Sequence, residues 1–146
     1  MLAAVELITT LSGALFTGAA LYINLVEHPA RMSCDTKIAM TQWAPSYARA
    51  AVMQASLAIV SFLTGAATWW LGGGTRWLAG AVLIGLVVPY TLVVVKPTNE
   101  RLLDPARDAN SAETRMLLDR WNRLHAVRSG LSLLATLVYL DALVRP

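Results

Sequence analysis

The chain has 146 residues, 56% of them hydrophobic and only 14% charged, with a mean hydropathy of +0.53 and a net charge of +3. Soluble domains carry about 25% charged residues, so this composition excludes an ordinary soluble globule, and basic residues interleaved with acids argue against a nucleic-acid partner. The single cysteine, Cys34, excludes an internal disulfide and any paired-cysteine redox or zinc motif.

The first apolar run, Leu7 to Val26, is 20 residues without a charge, which matches the roughly 20 apolar residues a membrane-crossing helix needs. Glu6 precedes it and no basic stretch does, so it reads as a retained helix rather than a cleaved signal. Its four-residue pairs Gly13/Thr17 and Ala14/Gly18 predict close helix approach. It ends in Asn24, Glu27, His28, Pro29 and Arg31. The second run, Ala50 to Thr75, is 26 residues between Arg49 and Arg76, opens after Tyr47 and holds Gln54. Trp69, Trp70 and Trp77 flank Gly72, Gly73 and Gly74 and read as interfacial anchors.

The third run, Trp77 to Val95, is 19 residues long and closes on Lys96, Pro97, Thr98 and Asn99. It contains the small pair Ala81/Gly85, and Pro89, which predicts a kink that frees the carbonyl near Gly85 and opens a cavity toward the closing end. A polar stretch comes next, in which Asp104, Arg107, Asp108, Glu113, Arg115 and Arg120 read as a solvated face. The fourth run, Ser129 to Leu140, has just 12 uncharged residues. Counting about 20 residues back from Leu143 puts its boundary near Leu124. His125 then lies at the membrane edge, with Arg128 one turn deeper.

These runs predict an all-α integral membrane protein: one domain forming an antiparallel, up-down four-helix transmembrane bundle, with spans at about 4–26, 49–72, 77–95 and 122–143. Strands of a β-barrel are excluded, because the runs are continuously apolar and about twice a barrel strand's length. Ten of the twelve basic residues fall in the first and third connections and their flanks. That asymmetry predicts connections one and three in the cytoplasm and both termini outside, in a bacterial inner membrane.

In such a bundle the polar ends of all four spans meet at one layer. Trp121, His125 and Arg128 are spaced i, i+4, i+7, with Asn122 three before His125, so they form a stripe that should face the bundle. Arg31, Arg49 and Lys96 have an alternative reading as snorkelling anchors. An intramembrane arginine costs about 2.5–3.5 kcal/mol on insertion scales and should have a counter-charge or a cavity. Glu27 is the expected partner of Arg128 by depth.

Four segments then invite comparison: EHPAR after the first span, APSYARA opening the second, KPTNERL closing the third and WNRLHAVRS opening the fourth. In this order they resemble the anthrone-oxygenase-like membrane family, the DUF1772 domain, over essentially the whole chain. The resemblance implies a small four-helix membrane protein whose named fungal members oxidise an anthrone to an anthraquinone with dioxygen. It also implies site residues at Glu27, His28, Pro29, Arg31, Pro97, Asn99, Trp121, His125 and Arg128.

Three functions stay open on these grounds. The first is an oxygenase of a lipophilic, electron-rich aromatic. His125 would act as base, Arg128 and Asn122 as oxyanion stabilisers, and Glu27 as orienting or neutralising carboxylate. His28, Arg31, Tyr47, Asn99 and Trp121 would contact substrate, with Tyr22 a further stacking candidate; no cofactor is required. The second is an iron, copper or haem centre on Glu27, His28 and His125. The third is a non-enzymatic assembly protein whose Glu27–Arg128 pair fixes helix register. The expected partners are the lipid bilayer, a small lipophilic aromatic and dioxygen, without nucleic acid, and a homo-oligomer is left open.

Overall fold

The computed structural model describes residues 1–145, which form helices and short connections with no strand among them. Four helices, α1 (Leu2–Met32), α2 (Thr36–Gly73), α3 (Thr75–Leu103) and α4 (Ala112–Val144), are each long and apolar enough to cross a membrane. They extend past the apolar runs because the flanking segments are themselves helical, and the added turns carry the polar residues.

Cross-helix contacts run in opposite order along each neighbouring pair. Ser61 donates to the Thr9 carbonyl and Gln42 to Glu27, joining α1 and α2. Thr17 meets Thr136 and Asn24 meets Asn122, joining α1 and α4. Tyr90 donates to the Leu124 carbonyl and Arg101 to Glu113, joining α3 and α4. The chain therefore folds up and down, each helix beside the next and α4 closing against α1.

At the end carrying the short Gly72–Gly74 turn, small residues admit one large ring. A Cβ on Gly80 would overlap the Tyr139 ring, and one on Gly65 would lie 2.7 Å from its hydroxyl. Tyr139 stacks on Trp77 at 5.5 Å and donates to the Ser61 carbonyl. Trp77 is thus core rather than an interfacial anchor, whereas Trp70 is 82% exposed. Gly13 packs against Ser61 and Tyr139 as its spacing predicts, but Ala14 is exposed and Gly18 has nothing near it. That pair faces away from the bundle because it sits one position round the helix from Gly13 and Thr17.

Two wide, π-type turns, Ile23–Glu27 and Thr91–Val95, interrupt the helices, and both have a proline cause; at the other end of the bundle Gly72, with φ +93°, ends α2. Pro29 and Pro97 lack an N–H and their rings displace the carbonyl four residues back. The preceding N–H groups slip to the fifth carbonyl, His28 to Ile23 and Lys96 to Thr91. Each slip adds a residue to one turn and rotates the rest of its helix about the axis, and both lie at the same end of the bundle. In α3, Pro89 has no N–H to give the Gly85 carbonyl, and helical dihedrals continue through Leu86.

Candidate active site

The end of the bundle with the proline-linked wide turns buries most of the protein's ionisable core. His28, Arg31, Asn99, Trp121, His125 and Arg128 are all under 9% exposed there. Their partners fall into three groups.

The first group hangs on α1. Arg31 donates to Glu27 at 2.6 Å and to Gln42, and Glu27 also accepts from Ser46. The other end of the Arg31 guanidinium lies 3.1 Å from His28 Nδ1. A guanidinium only donates, so Nδ1 accepts and the His28 proton sits on Nε2. That N–H has no partner among the described residues. The counter-charge of Glu27 is therefore Arg31, one helical turn away, and the expected Glu27–Arg128 pair does not form. Arg31 is accordingly a buried, paired cation rather than a snorkelling anchor.

The second group fixes His125. Trp121 lies between the two histidines, 5.4 Å from His28 and 4.9 Å from His125, centre to centre. His125 Nδ1 is 2.8 Å from Asn24 Oδ1. The orientation of that amide is set elsewhere, because Asn24 Nδ2 donates to the backbone carbonyl of Asn122 at 3.0 Å and to its side-chain oxygen at 2.7 Å. A carbonyl can only accept, so Oδ1 must face His125, and Nδ1 of His125 must carry the proton. Ser129 donates to the same Oδ1 at 2.5 Å. Nε2 of His125 is left with its lone pair. Asn122, expected to stabilise an oxyanion, here accepts from Asn24 through both its backbone carbonyl and its side-chain oxygen.

The third group surrounds Arg128. Its guanidinium donates to Gln54 Oε1 at 2.9 Å and lies 5.8 Å over the Phe16 ring. Its Nε and Gln54 Nε2 are buried with no partner among the described residues. Arg128 thus has an amide and an aromatic face instead of a carboxylate. Tyr47 stacks on Trp43 at 5.0 Å and accepts from Asn99 Nδ2 at 3.1 Å.

A cavity of about 20 Å³ joins these groups, with Arg31, Tyr47, Gln54, Trp121, His125 and Arg128 among its walls. That volume suits a water-sized molecule, since about 10–15 Å³ measured this way holds one water. Glu27, His28, Asn99 and Asn122 are not among its walls. Tyr22 is 56% exposed and lies outside it. In the polar connection, Arg101 and Arg107 share Glu113, whereas Arg115 donates to the Cys34 carbonyl at 2.8 Å and to that of Met32. Arg115 therefore ties α4 to the end of α1 rather than belonging to a solvated face.

The metal-ligand set does not assemble. Glu27 is engaged by Arg31, Gln42 and Ser46, His28 Nδ1 faces Arg31, and His125 Nδ1 faces Asn24. No group of three or more His, Cys, Asp or Glu among the described residues is placed to hold a metal ion.

Sequence reasoning placed Asn24 among the polar residues closing the first span without giving it a partner, and missed Ser129 and Gln42 as partners. Asn24 had a legible signal: it is the one amide inside an otherwise apolar, hydroxyl-dotted run. Glu27 and Arg31 also stood four apart on one helix, the spacing at which opposite charges meet first.

A family model described as anthrone oxygenase matches residues 43–138. That stretch holds Tyr47, Gln54, Trp121, His125 and Arg128, and leaves Asn24, Glu27, His28 and Arg31 outside it. The chain is 31% identical to the anthrone oxygenase tpcL of Aspergillus fumigatus, over 92% of this chain and 90% of the relative. It is 30% identical to an anthrone oxygenase of Claviceps purpurea, over 88% of this chain and 82% of the relative. Both are fungal, so they lend nothing to the expected bacterial membrane. No solved structure matches.

Proposed function

The chain belongs to the anthrone oxygenase family, and we propose that it oxygenates a lipophilic, electron-rich aromatic with dioxygen at the His125–Arg128 end of the bundle. The observation that carries this reading is the Asn24 amide, which keeps the His125 proton on Nδ1 and leaves Nε2 free to act as base.

An anthrone's ring methylene is acidic because the negative charge left on deprotonation moves to the ketone oxygen. His125 Nε2 takes that proton. Arg128, buried beside the same cavity without a carboxylate partner, stabilises the oxyanion. The electron-rich carbon then reduces dioxygen and forms a carbon–oxygen bond, and the proton on His125 completes a hydroperoxide. Loss of the second hydrogen with cleavage of the oxygen–oxygen bond leaves a carbonyl and releases water. One methylene and one dioxygen give one ketone and one water, a four-electron oxidation of carbon matched by reduction of oxygen. The small cavity has room for dioxygen beside His125, and no step calls for a metal.

Glu27, Arg31 and His28 support this centre by holding Trp121 and one cavity wall. The basic bias of the first and third connections supports a cytoplasmic orientation of this end. Oxygen uptake by purified His125→Ala tests the assignment: turnover is lost while helix content and melting in detergent are kept. Wild-type turnover in that variant would overturn it.

A further inference from the structure

The cavity beside His125 is far too small for a fused-ring aromatic, so the bulk of such a molecule must lie elsewhere. A second opening of about 170 Å³ lies between α2 and α3. Its outer rim includes Val88 and Leu92, 40% and 59% exposed, on the surface that a membrane-crossing bundle turns to acyl chains. Its inner end is formed by Phe16, Gln54 and Arg128, all under 9% exposed. Tyr47, Ala51, Gln54 and Arg128 are walls of both cavities, so the cleft runs from the lipid face to the edge of the His125 chamber.

We propose that this cleft is a bilayer-facing binding site for a flat lipophilic molecule with one acidic oxygen, a phenol or an enol, seated with that oxygen on Arg128 and Gln54. Three observations support it. Two residues of the inner wall, Arg128 and Gln54, each carry a buried N–H donor without a partner among the described residues, Arg128 Nε and Gln54 Nε2, so an acceptor oxygen suits this wall better than a cation or a plain hydrocarbon. Because Arg128 has no carboxylate partner among the described residues, an anionic oxygen would supply its missing counter-charge.

Size is the third. An apolar cavity of about 150 Å³ takes one benzene ring. The cleft continues past Ala58 and Val88 into a shallower groove of about 440 Å³ along Phe62 and Gly85, which gives further rings a surface to lie on. Leu86, Val88 and Pro89 form the α3 side of that groove. Entry is sideways from the bilayer, where such a molecule partitions. Its placement against His125 rests on the oxygenase reading above, but its binding does not.

The test measures binding of a hydroxyanthraquinone, by its own absorbance and fluorescence, to the protein in lipid nanodiscs. Anthracene serves as the probe without an acidic oxygen. Ala55→Trp, on the exposed cleft wall, should weaken the hydroxyanthraquinone at least about tenfold, as should Arg128→Gln. Anthracene should bind more weakly and be indifferent to Arg128→Gln. His125→Ala should bind normally and fail to turn over. Should Arg128→Gln fail to fold, Gln54→Leu carries the same expectation in smaller measure. Hydroxyanthraquinone binding that ignores Ala55→Trp and either polar variant would overturn the site. So would displacement of the dye by oleate at a lower concentration than the dye itself requires, which would make the cleft a fatty-acid site. Normal binding effects with a fully active His125→Ala would leave the cleft standing and remove the base instead.

Discussion

The two ends of this bundle solve the problem of polar groups in a membrane in opposite ways. Toward the Gly72–Gly74 turn, buried hydroxyls are satisfied: Thr9, Ser12 and Thr68 donate to carbonyls in their own helices, and Ser61 and Tyr139 donate to carbonyls across helices. Glycines there let Tyr139 fill the space between helices. Toward the proline-linked end, two histidines and two arginines are buried together. All six buried side-chain atoms without a partner among the described residues are on residues of that half or its inner margin: His28, Trp43, Gln54, Asn99, Trp121 and Arg128. Native proteins leave few such groups unmet, and they gather where something other than folding is served. The contrast teaches that one half holds the bundle together and the other is held by it.

Removing a site residue should then cost activity without stability, and the reverse should hold at the far end. Arg128→Met breaks the comparison most sharply. Turnover should fall about 10²–10³-fold, the usual cost of a lost oxyanion donor, while melting in detergent stays equal or rises because a buried unpaired cation has gone. A lower melting temperature with retained turnover would make Arg128 structural. Gly80→Val is the mirror case. Its side chain meets the Tyr139 ring and should destabilise by about 1–3 kcal/mol through overpacking, seen as a lower melting temperature with normal turnover per folded molecule.

Asn24→Leu sharpens the site half itself. It frees the His125 ring to take either tautomer and should lower kcat about tenfold with KM unchanged, whereas a purely structural Asn24 would affect only melting. Thr17→Val, which breaks the 2.9 Å contact with Thr136, should be the mildest. About 0.6 kcal/mol is typical of a hydrogen bond between membrane helices, and activity should not change.

The legible part of this structure is the part that a helix period encodes. Depth along the membrane is counted at a fixed rise per residue, so the four helices and the gathering of polar residues at one end were legible from the charges bounding each run. Direction around each axis was legible for the stripe Trp121, His125, Arg128, which the structure places inside the bundle. Which side chain meets which was not. Glu27 and Arg128 share a depth, yet Arg31 lies on the same helix as Glu27 and wins by proximity. Gln54, an uncharged residue in the second run, became the partner of Arg128 because the rotations of α2 and α4 bring them together. Trp77 passed for an anchor because a tryptophan beside a glycine turn has the same signature whether it points to headgroups or to Tyr139. The size of the inner chamber lay beyond any residue pattern, and it moves the aromatic out to the cleft.

The most direct test of the central claim separates proton removal from oxygen chemistry. An anthrone incubated without dioxygen in deuterated buffer should exchange its methylene hydrogens faster with the protein than with buffer alone. His125→Ala should lose that acceleration, and Asn24→Leu should keep only part of it. Exchange no faster than buffer from a preparation that still oxygenates the anthrone in air would contradict a histidine base.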